Sequence, residues 1–387
     1  MKQMDTRLRI IQVVNVRWFN ATAWYGLALS RLLINAGHDV RVLALPDTES
    51  FAKARAMGLD PIPCNLNSAH PLVLTQTLRT LLSQLREFRP HIVNCHRGEG
   101  MLFWGILKIM GKDFALVRTR GDQRPPKNNL PNRCLHARAA DALIVTNSRI
   151  ARQCRTLLGM PDDRLYTILG GVNTDLFARN EKDRMAVREM LGFAREDMVV
   201  GLLGRFDAVK GQREMMEAFS QVRYGLEARA SGLSRRLRLM LVGFSTSLSE
   251  EKVREWISGY GLEDCTVITG RVERPSAYIN AMDLGVVASQ GSEAIARAAL
   301  EIMACETPLV GIDVGVMPDL LPAWALVPPG DPPALAALLK RALNNDIFRK
   351  TLREAAQERV KMLSEQSFLE QTMRVYSTLT LKRSVRR

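Results

Sequence analysis

The chain has 387 residues, 47% hydrophobic and 24% charged, a composition that excludes a disordered chain and, at roughly 150 residues per domain, calls for two or three domains. Lys plus Arg number 54 against 40 acids, a net charge of +14, which favours anionic partners: nucleic acid, phosphorylated small molecules or acidic lipid surfaces. No sequence repeat is visible, and no uncharged apolar run approaches the roughly 18 residues that cross a bilayer.

The N-terminus carries no apolar core of signal-peptide type. Arg9 to Asn15 reads as a buried strand, Thr22 to Ala36 as a helix closed by Gly37, and Asp39 to Leu45 as the next strand. A helix over Pro71 to Phe88 separates these from strands at His91–Cys95, Ala115–Thr119 and Ala142–Thr146. The apolar stretch Met101 to Met110 is interrupted by Lys108, and between Arg118 and Arg164 ten basic residues accompany four acids. Asn180 to Glu196 is charged, has no strand signal and suits a connector. A second series begins with a strand at Val199. Strands follow at Arg238–Val242, Cys265–Thr269, Leu284–Ala288, Pro308–Ile312 and Ala325–Val327, with helices between them, one over Glu293–Ala304.

Short apolar runs alternating with helical patterns predict two doubly wound, Rossmann-like α/β domains facing across a cleft, the default ligand site. The expected division is 1–175, 176–365, and a final helix with a basic tail over 366–387 that returns toward the first domain. Six scattered cysteines without a CxxC pair suit a reducing compartment. The expected location is cytoplasmic, or peripheral on the inner face of the cytoplasmic membrane.

Several cofactor patterns fail. Gly98-Glu99-Gly100 follows a strand, but Phe103 occupies the third glycine position of a dinucleotide fingerprint. Gly111-Lys112 is followed by Asp113, so no phosphate-binding P-loop exists, and no paired metal-ligand motif is present. Glu293 and Glu301 are more informative. On one helix they would lie roughly 12 Å apart, too far to share a proton and well spaced for a long ligand. Glu293 would sit at the helix start, where the N–H groups of Ala294, Ile295, Ala296 and Arg297 favour phosphate. Glu301 could accept both hydrogen bonds of a ribose diol. The loop Gly204-Arg205-Phe206-Asp207-Ala208-Val209-Lys210-Gly211 follows the first strand of the second series, and Arg205 and Lys210 can converge on a diphosphate.

Taken in order, Gly170-Gly-Val-Asn-Thr-Asp-Leu-Phe, Gly204-Arg-Phe-x3-Lys-Gly and Glu293-x7-Glu-x-Met-Ala-Cys-x-Thr-Pro resemble the retaining, family 4 nucleotide-sugar glycosyltransferases of GT-B fold (group 1 glycosyltransferases). The resemblance runs from the first strand to about residue 365. It implies that Arg205 and Lys210 hold the donor pyrophosphate, that Glu293 contacts the donor sugar or phosphate, and that Glu301 binds the ribose. Gly243 and Val272 would line the nucleotide pocket. Two departures stand out: Ala294-Ile295-Ala296 replaces a frequent Gly-Phe-Gly, and Glu306 stands where glycine is usual.

The implied reaction is glycosyl transfer with retention, with the diphosphate stabilised by Arg205, Lys210 and the helix start. It calls for no metal and no cofactor beyond the nucleoside-diphosphate sugar. His96 is the candidate to orient the sugar or assist proton transfer. Asn20, Thr22, Arg97, Arg118 and Arg120 are candidate acceptor contacts, the arginines for an anionic acceptor. A +14 chain without a membrane span fits a glycan or glycolipid acceptor at an anionic membrane surface, of lipopolysaccharide-core type. Trp18, Phe19, Trp24 and Tyr25 either touch the bilayer or pack internally. A GT-B-type sugar-nucleotide epimerase is the alternative, with Glu99 and Asp122 as its acid and base. No nucleic-acid-reading motif appears, and nucleic acid is not an expected partner.

Overall fold

The computed structural model describes residues 7–228, 230–291 and 293–384. Thirteen strands are found in these residues: β1 (Arg9–Val14), β2 (Asp39–Ala44), β3 (Pro61–Pro63), β4 (Ile92–Cys95), β5 (Ala115–Arg120), β6 (Ala142–Val145) and β7 (Leu165–Thr167), then β8 (Met198–Leu203), β9 (Leu237–Val242), β10 (Thr266–Ile268), β11 (Leu284–Val287), β12 (Leu309–Ile312) and β13 (Leu326–Val327). They form two sheets, ordered β3-β2-β1-β4-β5-β6-β7 and β10-β9-β8-β11-β12-β13, and every pairing is parallel. Helices cover the faces, so central strands are buried on both sides, and β4, β6, β11 and β12 are buried at every position. Near-continuous Val, Ile and Leu runs follow from that burial.

Each sheet steps outward from its first strand and then crosses to the other side to continue. The order reverses between β1 and β4 in one sheet and between β8 and β11 in the other. Loops leaving the carboxyl ends of such strand pairs diverge and leave room for a ligand.

The chain divides into two compact units: the part up to Gly170 together with the segment from Glu365, and Gly171–Ser364. The final helix, Glu365–Ser384, is fastened to the first unit by its buried face. Tyr376 Oη accepts hydrogen bonds from Asn94 Nδ2 (2.9 Å) and Gln12 Nε2 (3.2 Å), and the Phe368 ring meets Tyr25 at 4.6 Å, edge to face.

Three local expectations change. Asn180 to Glu196 is no simple connector: Asn180 caps a helix over Glu181–Met190, and Arg184 and Arg188 pin that helix to Asp283 at 2.6 and 3.1 Å. The helix over Pro71 to Phe88 is α-helical only to Ser83 and widens into a π-turn over Gln84–Phe88. The helix expected from Glu293 begins at Arg297, because the chain first turns through Ala296 with φ +51.

Candidate functional site

At the crossover of the second sheet the backbone itself approaches closely. A Cβ on Gly211 would fall 1.9 Å from Ala288 O, and one on Gly243 would fall 2.0 Å from Gly204 O. No residue but glycine fits either place, and Gly211 also carries φ +72. These contacts bring the loop after β8 against the ends of β9 and β11. The loop is braced by Val209 O, which accepts from Gln290 N (2.8 Å), and by Arg205 O, which accepts from Gln212 Nε2 (2.8 Å).

Two cations emerge from this frame. Arg205 is 45% exposed at its side chain and pairs with Asp207 at 3.1 Å. Lys210 Nζ lies 2.5 Å from Glu293 Oε1, and the same oxygen accepts from Ser289 Oγ at 2.5 Å. Glu293 is buried, and its carbonyl accepts from Val316 N at 2.8 Å. The carboxylate is therefore held by a lysine and a hydroxyl on the approach to the helix Arg297–Ala304, not on that helix. Glu301, inside it, is also buried and accepts from Arg297 Nη2 at 2.9 Å. Burial pushes its carboxyl upward, and Arg297 only partly opposes this. Glu293 and Glu301 thus do not form the two-ended helical pair that spacing suggested; the left-handed Ala296 lies between them. Ile295 and Ala296 are buried, and Val272 follows Arg271, whose guanidinium stacks 3.9 Å over the Phe244 ring beside Gly243.

The first sheet ends differently. His96 is buried after β4, with Nε2 at 2.8 Å from Gln12 Oε1 and Nδ1 without a partner. Burial, reinforced by Arg118, lowers its pKa to about 3. Arg118 is itself buried. Its Nη1 donates to Cys95 O (2.8 Å) and to Thr119 O, and it forms no ion pair among the described residues. Burial and the neighbouring Arg120 lower its pKa to about 10. Arg120 Nε is buried without a partner, while its Nη2 donates to Arg124 O. Arg97 pairs with Glu99 at 3.1 Å and Asp122 with Arg124 at 2.7 Å. Asn20 caps the helix Ala21–Asn35, accepting from Thr22 N and Ala23 N. Thr22 Oγ1 lies 3.2 Å from where a Cβ on Gly121 would stand.

Of the two dinucleotide-like glycines, Gly100 has a packing cause, since a Cβ there would meet Val13 Cγ1 at 2.9 Å, whereas a Cβ on Gly98 would meet nothing within 4 Å. Of the aromatic residues near the first loop, Trp18 is 65% exposed and Tyr25 is buried. Lys53 Nζ lies over the Phe19 ring at 5.7 Å. Among the described residues there is no group of three or more His, Cys, Asp or Glu placed to hold a metal ion, and no helix is long and apolar enough to cross a membrane.

Two family descriptions match successive parts of the chain: "Glycosyltransferase Family 4" over residues 23–176 and "Glycosyl transferases group 1" over residues 183–359. The chain belongs to the group 1 glycosyltransferases. A D-inositol 3-phosphate glycosyltransferase of Acidothermus cellulolyticus is 26% identical over 265 residues, which cover 65% of this chain and 58% of that protein. The chain spans about half the length of the next such relatives, at 50% and 51%. Anabaena HepE, solved with UDP, superposes with a TM-score of 0.82 at 17% identity, over 96% of this chain and all of that one (100%). The lipopolysaccharide outer core galactosyltransferase WaaB superposes with a TM-score of 0.72 at 15% identity, over 96% and 99%. The fold is GT-B.

For this group 1 glycosyltransferase, sequence reasoning missed Ser289, Gln290 and Gln12. Ser289 and Gln290 are polar residues ending an apolar strand, at the position where ligand loops begin. Gln12 interrupts Ile-Ile-Gln-Val-Val, and a glutamine inside a buried strand needs a polar partner; here that partner is His96.

Proposed function

We propose that the chain transfers a sugar from a nucleoside-diphosphate sugar, with retention at the anomeric carbon, to an anionic saccharide acceptor of the lipid-linked, lipopolysaccharide-core type. The observation that carries the proposal is the crossover of the second sheet, where Arg205 and Lys210 flank a backbone that only glycine can build. A diphosphate leaving group develops charge as the glycosidic bond breaks, and preorganised cations at that point lower the barrier. Lys210 rests on Glu293 until substrate arrives, and the carboxylate is then available to the donor sugar. Glu301 receives the ribose. Gly243, Val272 and the backbone from Ala294 to Arg297 line the rest of the donor site. With two cations doing the neutralising, the proposal calls for no metal.

The first unit takes the acceptor. A buried guanidinium hydrogen-bonded only to carbonyls is expensive unless an anion completes it, so Arg118 suits a phosphate or carboxylate on the acceptor, with Arg97 and Arg120 adding positive charge and Asn20 and Thr22 as further acceptor contacts. With His96 held at about 3, the ring is neutral and a poor proton acceptor. Its free Nδ1 lone pair instead orients a substrate hydroxyl. The epimerase alternative is weaker, since Glu99 and Asp122 are each committed to an arginine. The likeness in fold to HepE with UDP and to WaaB supports the donor and acceptor classes. A location on the cytoplasmic face of a membrane follows from such an acceptor.

Thermal shift with UDP, GDP, ADP and CMP tests the donor site. One nucleoside diphosphate at about 100 times its Kd should stabilise the wild type by roughly 2.7 kcal/mol, and Glu301→Gln should lose most of that protection. Silence from every diphosphate would remove the proposal. Proton NMR of the product's anomeric centre tests retention.

A further inference from the structure

The helix Gly98–Ile109 buries Met101, Trp104 and Leu107 against the first sheet. On its other side Leu102, Ile106, Ile109 and Met110 are 50%, 48%, 62% and 68% exposed. At about 100° per residue these four side chains share one stripe roughly 100° wide. The same helix therefore has two apolar faces, one inside the unit and one outside it. Gly105 marks the edge of the stripe. A Cβ there would meet Leu135 Cδ1 at 2.4 Å, which shows how closely the segment Leu130–Ala139 lies alongside.

That neighbouring segment adds a fifth exposed aliphatic, Leu130 at 73%. It also adds charge. Arg133 and Arg138 from this segment, Lys127 just before it and Lys112 just beyond the helix are exposed and form no ion pair among the described residues. An apolar stripe with an unneutralised basic border is costly to leave in water. A second copy of the chain is a poor occupant, because pairing this face with itself would bring the cations together.

We propose that this face, the outer stripe of Gly98–Ile109 with the basic border at Lys112, Lys127, Arg133 and Arg138, docks on an anionic lipid surface. The aliphatic side chains enter the boundary between headgroups and acyl chains, and the cations sit at the level of the lipid phosphates. Docking is peripheral, since no helix among the described residues is long and apolar enough to span. The inference deepens the reading of a lipid-linked acceptor and rests on it for its purpose, although the surface is argued from exposure and charge alone.

Flotation of the full chain with vesicles of phosphatidylcholine, with and without phosphatidylglycerol, tests it at low and high salt. Wild type should float with the phosphatidylglycerol vesicles at low salt and remain behind with phosphatidylcholine alone. Ile106→Ser with Ile109→Ser should weaken partitioning at least about tenfold. Arg133→Gln with Arg138→Gln should weaken it by about tenfold or more and flatten the salt dependence. UDP protection of the same variants, measured by thermal shift, should match wild type. That control reports folding, and it separates loss of docking from failure of the donor reading. Wild-type flotation by the serine pair, or indifference of the wild type to phosphatidylglycerol, overturns the proposal. So does a solution dimer that the serine pair dissolves, which would make the stripe a contact between copies.

Discussion

The two sheets share one topology and treat charge at their crossovers in opposite ways. In the second, the buried Glu293 is met by Lys210 and Ser289, and backbone segments touch through Gly211 and Gly243. In the first, the buried Arg118 bonds carbonyls and, among the described residues, pairs directly with no carboxylate, Glu99 acting on it only from a distance while paired to Arg97, and the buried His96 keeps an unpartnered Nδ1. One end supplies its own counter-charge; the other withholds it. A pair that is complete without ligand can be opened by a ligand, whereas an incomplete one is finished by it.

The sharpest way to break this comparison is to delete one cation from each end. Lys210→Ala should cut transfer by about 10²- to 10³-fold. It should also lower stability by about 3 kcal/mol, because Glu293 is left as a buried, unpaired carboxylate. Adding Glu293→Gln should restore the melting temperature and leave the rate low. Arg118→Met should behave in the reverse sense. Removing a buried cation that is in no direct ion pair among the described residues should leave stability unchanged or raise it by about 1 kcal/mol, while transfer to an anionic acceptor drops about tenfold or more and UDP protection persists. A large loss of stability in Arg118→Met would reassign that guanidinium to holding the carbonyls of Cys95 and Thr119.

The difference between the ends also explains what could be read from the sequence. Parallel strands are buried on both faces, so each long one prints an apolar run: β1, β2, β5 and β9 were legible to within a residue or two. The three-residue edge strands β3 and β7 print almost nothing. Charged helices packed by salt bridges, such as Glu181–Met190, lack the apolar stripe that would announce them. At the site, residue types were legible and conformation was not. Glu293 and Glu301 suggested one helix because nothing in Ala294-Ile295-Ala296 signals a left-handed residue. Likewise Arg118 was legible as a strand-end arginine, but its burial without an acid depends on which side chains the sheet brings beside it.

A smaller effect separates the two histidine roles. The folded His96 ring stays neutral down to about pH 3, whereas in the unfolded chain it protonates near 6.5. Between those values the unfolded state binds more protons, so the stabilising contribution is complete above about pH 6.5 and is lost as pH falls toward 3. The slope is roughly 1.4 kcal/mol per pH unit for one such ring. His136, lowered to about 4 mainly by burial, adds a similar slope over its own range. Chemical denaturation across this range should therefore show a flatter pH dependence for His96→Asn than for wild type. The rate profile is the second readout. A hydroxyl-orienting ring gives no inflection near pH 6.5. A limb there that disappears in His96→Asn would restore proton transfer to this residue.

The smallest expected effects lie at two residues that bracket the helix Arg297–Ala304. Ala296 and Glu306 carry φ +51 and +57, at the positions where the family resemblance expects glycine. A Cβ in the left-handed region costs roughly 1–2 kcal/mol, and glycine returns roughly 0.5–1 of that as unfolded-chain entropy. Each substitution to glycine should thus raise stability by at most about 1 kcal/mol, read as a rise of a few degrees or less in Tm. The two differ in what they adjoin. Glu306 follows the helix, and Glu306→Gly should leave transfer unchanged. Ala296 sits between Glu293 and Glu301, and strain held at such a place fixes the relative position of the two carboxylates. Ala296→Gly should therefore gain stability while UDP binds less tightly. Equal behaviour of the two variants in UDP protection would mean that the left-handed turn before the helix is a packing accommodation and that the position of Glu293 is set by Lys210 and Ser289 alone.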